Sequence, residues 1–236
     1  MDMRSLTKNQ LLAYETGLHL GDGCLYINPA HRTYRYELSG DSVNDYEFYS
    51  QIVPRLLELL YKRTPKVYLK RGERTVLVVL NSKEVAASKL ALGLPAGNKL
   101  KLERVPALIE ADLVSHFIRG LADSDFSVTF KRNRAGKPCE PRIEFFTNNE
   151  VLAQFVQRKL KLFGFRPSLE RAERRGFTEY RLRMYGVGML RDWMHKIGFW
   201  NPKHMSKVEV FERLGWCPAG WTTAQRKSLL TLFPSG

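Results

Sequence analysis

Thr16-Gly17-Leu18-His19-Leu20-Gly21-Asp22-Gly23 is answered further along the chain by Arg119-Gly120-Leu121-Ala122-Asp123-Ser124-Asp125-Phe126. Gly-Leu stands near the start of each stretch and an aspartate near its end, and each of these equivalents is 103 positions from its partner. Other pairs keep the interval. Arg63-Thr64-Pro65-Lys66-Val67 resembles Phe165-Arg166-Pro167-Ser168-Leu169, with the prolines 102 apart. Asn98-Lys99-Leu100 stands opposite Asn201-Pro202-Lys203, again 103 apart. Capping-type signals at Ser42…Asp45 and Thr147…Glu150 are 105 apart, a two-residue insertion in the loop between. One such match is chance. Four in the same order at nearly constant spacing mark a diverged tandem repeat of about 100 residues.

The local patterns repeat with these markers. A helix is expected over about 7–21, then strands at 24–28 and 34–39. A long amphipathic helix follows at 43–62, with Phe48, Ile52, Leu56 and Leu59 at helical spacing. Strand-like stretches Lys66–Lys70 and Thr75–Leu80 flank the turn Arg71-Gly72-Glu73-Arg74, and a helix at 83–92 stops at Gly93. The second copy reads helix 110–123, strands 127–132 and 141–146, helix 148–163, strands 166–171 and 178–185, and helix 188–197. Each half is αββαββα. The expected fold class is α+β, with halves at 1–104 and 105–203 and a helical C-terminal extension at 204–236.

Two helices that occupy equivalent places in a repeat meet across its pseudo-twofold axis. Gly17 and Gly21 in one, Gly120 and Ser124 in the other, put small residues on one face at i, i+4 spacing. Small residues let helix backbones approach more closely than the usual ~8–10 Å between axes. Asp22 and Asp125, one residue later, would then face each other. Two apposed carboxylates repel unless a cation neutralises them. Mg²⁺ prefers oxygen ligands and keeps its waters, so one carboxylate from each half together with phosphate oxygens suits it. The chemistry that fits is metal-assisted phosphodiester hydrolysis.

Composition agrees with a polyanionic partner. Lys and Arg number 38 against 24 Asp and Glu, a formal charge of +14, which favours nucleic acid over an anionic membrane or a mere solubility role. Cys24, Cys139 and Cys217 are scattered, against a disulfide framework or a cysteine zinc site. No run approaches the ~18 apolar residues of a membrane span, and Met1-Asp2-Met3-Arg4-Ser5 lacks signal-peptide order. The expected setting is intracellular: the cytoplasm of a prokaryote or archaeon, or an organelle.

The paired stretches resemble the signature of the LAGLIDADG homing endonucleases, in the monomeric double-motif branch, over roughly residues 7–200. The resemblance implies a saddle of antiparallel strands on double-stranded DNA and cleavage of both strands across the minor groove, leaving 3′ overhangs. It makes Asp22 and Asp125 the catalytic, metal-binding acids, with backbone carbonyls of Gly21 and Ser124 toward the same ions. Mg²⁺ is the expected ion, with Mn²⁺ substituting and Ca²⁺ binding without supporting cleavage. Two departures stand out. Phe126 occupies a place where glycine is usual. Gly40-Asp41 and Phe146-Thr147 stand where a water-assisting Lys or Gln is often found, leaving Lys83 as a substitute or simply a solvated helix-start lysine.

The DNA-facing candidates follow from strand alternation. Arg181-Leu182-Arg183-Met184 and Lys66-Val67-Tyr68-Leu69-Lys70 read as basic outward and apolar inward, and Ser127, Thr129 and Lys131 share a face. Arg32, Arg35 and Arg142 join this set, and Arg71, Arg74, Arg132, Arg134, Lys137, Arg171, Arg174 and Arg175 are assigned to loops and phosphate contact. Asp123 reads as a partly exposed helix residue, His19 and His116 as packing, and Trp193, Trp200, Trp216 and Trp221 as core or tail packing. The expected protein is an intron-encoded monomer on double-stranded DNA. The alternatives are a maturase on intron RNA and a catalytically inert DNA binder.

Overall fold

The computed structural model describes residues 3–106, 109, 112–174 and 176–233. Helix α1 (Lys8–Asp22) opens with a capping box in which Thr7 and Gln10 each accept from the other's backbone N–H. It runs into strands β1 (Gly23–Asn28) and β2 (Thr33–Asp41), a helical segment ending in α2 (Val53–Tyr61), strands β3 (Lys66–Leu69) and β4 (Thr75–Asn81), and helix α3 (Lys83–Ala91). The second half repeats the order. It comprises α4 (Val114–Asp125), β5 (Phe126–Arg132), β6 (Pro138–Thr147), α5 (Glu150–Leu162), β7 (Ser168–Arg174), β8 (Phe177–Tyr185) and α6 (Val187–Lys196). Two helices, α7 (Pro202–Leu214) and α8 (Thr223–Thr231), close the chain. Each half builds one antiparallel four-stranded sheet, ordered β1-β2-β4-β3 and β5-β6-β8-β7. The predicted α+β fold of two αββαββα halves is the observed one. Among the described residues no helix is long and apolar enough to cross a membrane.

Several local expectations are corrected. Residues 42–45 form turns, and the helix expected over 43–62 contains a π-helical turn, Phe48–Ile52, before α2. That extra residue per turn moves the buried line to Phe48, Tyr49, Val53, Leu56, Leu57 and Leu60, leaving Ile52 and Leu59 at its margin. Asn149, not Thr147, caps α5, its side chain accepting from Leu152 N–H at 2.8 Å. The helix expected from 110 begins at Val114, and residues 110 and 111 lie outside the described set. On the edge strand β3 the apolar side chains are not buried: Val67 and Leu69 remain 38% and 57% exposed.

Two apolar cores underlie the sheets. The first joins Tyr14 and Leu18 of α1 to Leu25, Leu38 and Val78 of its sheet and to α2. The second takes in Ala13 and Leu20 of α1, Leu94 and Leu102 of the connecting segment, and Val208, Phe211 and Leu230 of α7 and α8. The C-terminal helices are therefore built into the second core, with the Phe130 and Phe211 rings 5.0 Å apart.

Candidate active site

The two motif helices cross where their small residues lie. A β-carbon on Gly17 would strike the Phe117 carbonyl of α4, and one on Gly120 would strike the Tyr14 carbonyl of α1. One on Gly21 would meet the Ser124 side chain and come within 3.1 Å of Asp125 Cγ. Backbone lies on backbone, which brings the ends of α1 and α4, and with them Asp22 and Asp125, to one place. Ser124 turns its hydroxyl back to the carbonyls of Gly120 and Leu121, at 3.2 and 3.0 Å.

Phe126 does not disturb this exit. Gly23 and Phe126 follow their aspartates with nearly the same extended backbone, φ −84° and −83°, so neither position needs glycine for its conformation. At Gly23 a β-carbon would hit His19. The Phe126 ring instead stacks on Phe145 with centroids 4.7 Å apart.

The electrostatics centre on the acids. Burial and the charge of Asp22 push the Asp125 carboxyl up to about 7, against the pull of Lys99 and Lys203. Burial also raises Asp22, while the Tyr49 hydroxyl, donating to Asp22 Oδ2 at 2.5 Å, favours its ionised form. Tyr49 reaches it from the π-helical turn, a feature often found at functional sites.

Lys99 and Lys203 were not assigned a role from sequence, and the structure sets both beside the acids. The Lys99 ammonium donates to the Gly21 carbonyl, the group expected to face an ion. Each lysine follows an asparagine cap, Lys99 on a short turn and Lys203 in the first turn of α7: Asn98 accepts from Leu100 N–H, and Asn201 from Lys203 N–H, both at 2.9 Å. The Asn98-Lys99/Asn201-Pro202-Lys203 pair is legible as a repeat marker, and the near-equal distance from acid to lysine in the two copies, 77 and 78 residues, is the available signal. Lys83, by contrast, begins α3 and points over the Tyr34 ring at 6.0 Å.

Each lysine turn is held by the opposite half. Asn149 Nδ2 donates to the carbonyls of Leu102 and Leu100 at 3.1 and 3.4 Å. In the other direction Asp45 accepts from Asn201 Nδ2 at 2.7 Å and pairs with Lys203 at 2.9 Å. Asp123, expected to be partly exposed, is fully buried. It accepts from Tyr14 Oη at 2.6 Å, Trp200 N at 3.0 Å and Asn201 N at 2.9 Å, fixing the Lys203 turn to both motif helices. Burial raises its carboxyl to about 6. His19 is buried, both ring nitrogens unpartnered, and burial lowers its pKa so that it is neutral.

The donor set suits an oxygen-seeking divalent ion. Two carboxylates converge beside a 500 Å³ pocket lined by Gly21, Lys99, Asp125, Thr147 and Asn149. Among the described residues no cluster of three His, Cys, Asp or Glu forms a closed protein cage. An ion here would take its remaining ligands from water and substrate, as Mg²⁺ does.

The basic candidates divide by face. Arg35 and Lys66 lie on the outer face of the first sheet, where Arg35 meets Tyr68 Oη at 2.9 Å and Glu37 at 2.7 Å. Lys131, Arg142, Arg181 and Arg183 lie on the outer face of the second. Arg32 and Arg134 sit at the β1–β2 and β5–β6 tips, and Arg71 and Arg74 at β3–β4. Many are engaged: Arg183 with Glu144 and Glu170, Arg181 with Glu179, Arg74 with Asp41, Lys70 with Glu73, and Arg132 with the Gly136 carbonyl. Arg171 and Arg174 belong to strand β7, not to a loop. Arg171 pairs in register with buried Tyr180, on the face opposite Arg181 and Arg183, and binds Glu173 at 3.0 Å. Arg175 lies outside the described residues.

Residues 112–198 match a family model described as LAGLIDADG-like domain. No curated protein matches. Among solved structures, I-DmoI in complex with DNA and Mn is similar at TM-score 0.56 and 22% identity, covering 81% of this chain and 98% of that one. The LAGLIDADG homing endonuclease I-LtrWI bound to target DNA gives TM-score 0.56 at 11% identity, over 89% of this chain and 90% of that one. The N-terminal LAGLIDADG domain of DUF199/WhiA gives 0.52 at 15% identity, over 82% and 84%.

Proposed function

We propose that this chain, which has the two-halved fold of the double-motif LAGLIDADG homing endonucleases, is a site-specific, divalent-metal-dependent endonuclease that cuts both strands of a double-stranded DNA target. The observation that carries the reading is the convergence of Asp22 and Asp125 at the ends of the two motif helices, Asp125 pushed up to about 7 by burial and its neighbour despite the nearby lysines. Two acids raised by burial, one of them raised further by the charge of the other, at the mouth of a pocket are costly for a protein that only binds DNA.

Asp22 and Asp125 would hold Mg²⁺, with Mn²⁺ as a substitute and Ca²⁺ as an ion that binds without supporting cleavage. Such ions supply activated water and neutralise the leaving oxygen. The chain's own residues do the rest. Tyr49 orients Asp22 through its 2.5 Å bond. Lys99 and Lys203, set beside the acids by their asparagine-capped turns, offer positive charge to a phosphate and a proton to hold or pass. The outer faces of the two sheets give strand residues for base edges and loop arginines for phosphates.

The test is incubation with Mg²⁺ and a randomised duplex library, followed by sequencing of new ends. Discrete ends are expected in Mg²⁺, and none in EDTA or Ca²⁺. Asp22→Asn and Asp125→Asn should each lower cleavage by at least about 100-fold while duplex affinity stays within a few-fold. Cutting by both variants would refute the site. Tight duplex binding with no cutting by the wild type would make the chain an inert DNA binder on this scaffold.

A further inference from the structure

The pocket beside Lys99 has a counterpart in the second half. It is 330 Å³ in volume and is lined by Asn44, Thr129, Lys203, Lys207, Trp221 and Arg226. As the first pocket follows the outer strand β1 and the turn before α5, this one follows the outer strand β5 and the turn after β2. Their charges differ. The first contains Lys99 with Asp125 and Glu179, whereas the second contains three cations, of which, among the described residues, only Lys203 has a carboxylate partner, Asp45.

The other two cations belong to the C-terminal helices. Arg226 of α8 is 2% exposed. It donates to Ser206 Oγ at 3.0 Å, Thr223 Oγ1 at 3.1 Å, the Lys203 carbonyl at 3.2 Å, and the Trp221 carbonyl. Lys207 of α7 donates to the Val128 carbonyl of β5 at 2.8 Å. Among the described residues neither forms an ion pair. Burial, with the charges of Arg226 and Lys203, brings the Lys207 ammonium down to about 8. Asp45, paired with Lys203, also pulls on Lys207, so three cations share one carboxylate, and an anion in the open pocket would add the counter-charge they lack.

Position chooses the anion. Lys203 borders this pocket and also acts electrostatically on Asp22 and Asp125. An anion bound at Lys207 and Arg226 is therefore one step removed from the acids, along the edge of a sheet whose outer face carries Lys131, Arg142 and Arg183. We propose that Lys207 and Arg226 form a phosphate site for the backbone of the bound duplex, next to the phosphate presented to the acids. The C-terminal extension, which rests on the DNA reading for this role, then acts as a backbone clamp on the second half alone, with Trp221 on its rim.

Two measurements on the full chain decide it, comparing wild type, Lys207→Gln and Lys207→Arg. The Gln variant keeps a donor for the Val128 carbonyl and removes the charge, and the Arg variant restores the charge. In the first, chloride is replaced by inorganic phosphate at constant ionic strength and pH 7, and thermal unfolding is followed. Phosphate should raise the midpoint of wild type and Lys207→Arg, and clearly less that of Lys207→Gln. In the second, affinity for a non-specific duplex is measured against salt. Lys207→Gln should flatten the slope by about 0.9, so that between 50 and 200 mM salt it loses roughly 3-fold less affinity than wild type. Lys207→Arg should restore the slope. A phosphate response with an unchanged duplex slope would assign the pocket to free phosphate and overturn the clamp. Equal behaviour of wild type and Lys207→Gln in both would overturn the site itself. A wild type without salt-dependent duplex binding would count against the DNA reading, and the phosphate arm would still decide the pocket.

Discussion

A proton on Asp125 is worth more to the folded chain than to the unfolded one. Its carboxyl titrates near 7 when folded and near 3.9 in an open chain. Between those values the folded state holds a proton that the unfolded state has released, so stability falls as pH rises from about 4 through 7. The loss is about 4 kcal/mol for a shift of this size, and buried Asp123, at about 6, adds a smaller loss over the lower part of the same window. Asp125→Asn removes the ionisable group without changing its shape. In urea denaturation of the metal-free protein, the variant should be more stable than wild type by about 4 kcal/mol at pH 8, by about 1–2 at pH 5 and little different at pH 4. Ca²⁺ should stabilise wild type at pH 8, where the carboxylate is free, and much less at pH 5. A pH slope identical in wild type and variant would show that Asp125 carries no such strain. The two acids could be picked out in the sequence because they recur at one spacing; their mutual charge is a property of distance, which the sequence does not hold.

At the scale of the element, the motif helices are placed by what their side chains lack. A methyl at Gly120 falls on the Tyr14 carbonyl and one at Gly17 on the Phe117 carbonyl, and the atoms struck are backbone, which cannot swing away. Overpacking a core costs about 1–3 kcal/mol when side chains can adjust. Gly120→Ala should cost at least the top of that range, seen as loss of soluble protein or a large fall in denaturation midpoint. Gly72→Ala is the comparison. Gly72 has φ +76° and open space around it, so alanine there should cost only the ~1–2 kcal/mol of a left-handed conformation. If the two variants were equally stable, close helix approach would not be what Gly120 is for. The periodicity that located the helix at 43–62 fails at its π-helical turn, because a uniform 3.6-residue repeat cannot register one added residue. That turn delivers Tyr49 to Asp22.

The whole molecule should unfold as one unit. Ala13 and Leu20 of the first motif helix lie in the core of the second half, and Asp45 and Asn149 bind the lysine turns of the halves opposite to their own. The second core draws on residues of the first half, and each lysine turn is held from the half opposite to its own. Denaturation followed by far-ultraviolet dichroism and by tryptophan fluorescence should therefore give a single coincident transition. Trp193, Trp216 and Trp221 report on the second half and the extension, and Trp200 packs on Tyr14 of the first, so a first half melting by itself would appear in dichroism with only a partial fluorescence change, and that separation would sink the claim.

The repeat, the helix and strand order, the small residues at the helix crossing, the paired acids and the basic balance were all determined by the sequence itself. Each depends on residue size, charge or short-range periodicity, which are local. Tertiary structure decided the rest. It buried Asp123, whose partners Trp200 and Asn201 are remote in the chain. It turned Arg171 to the far face of its strand, because a register is set by pairing rather than by composition. It brought Lys99 and Lys203 to the acids and folded α7 and α8 into the second core. Contacts between distant segments arise from packing across a pseudo-twofold axis, and no local rule encodes where such an axis falls.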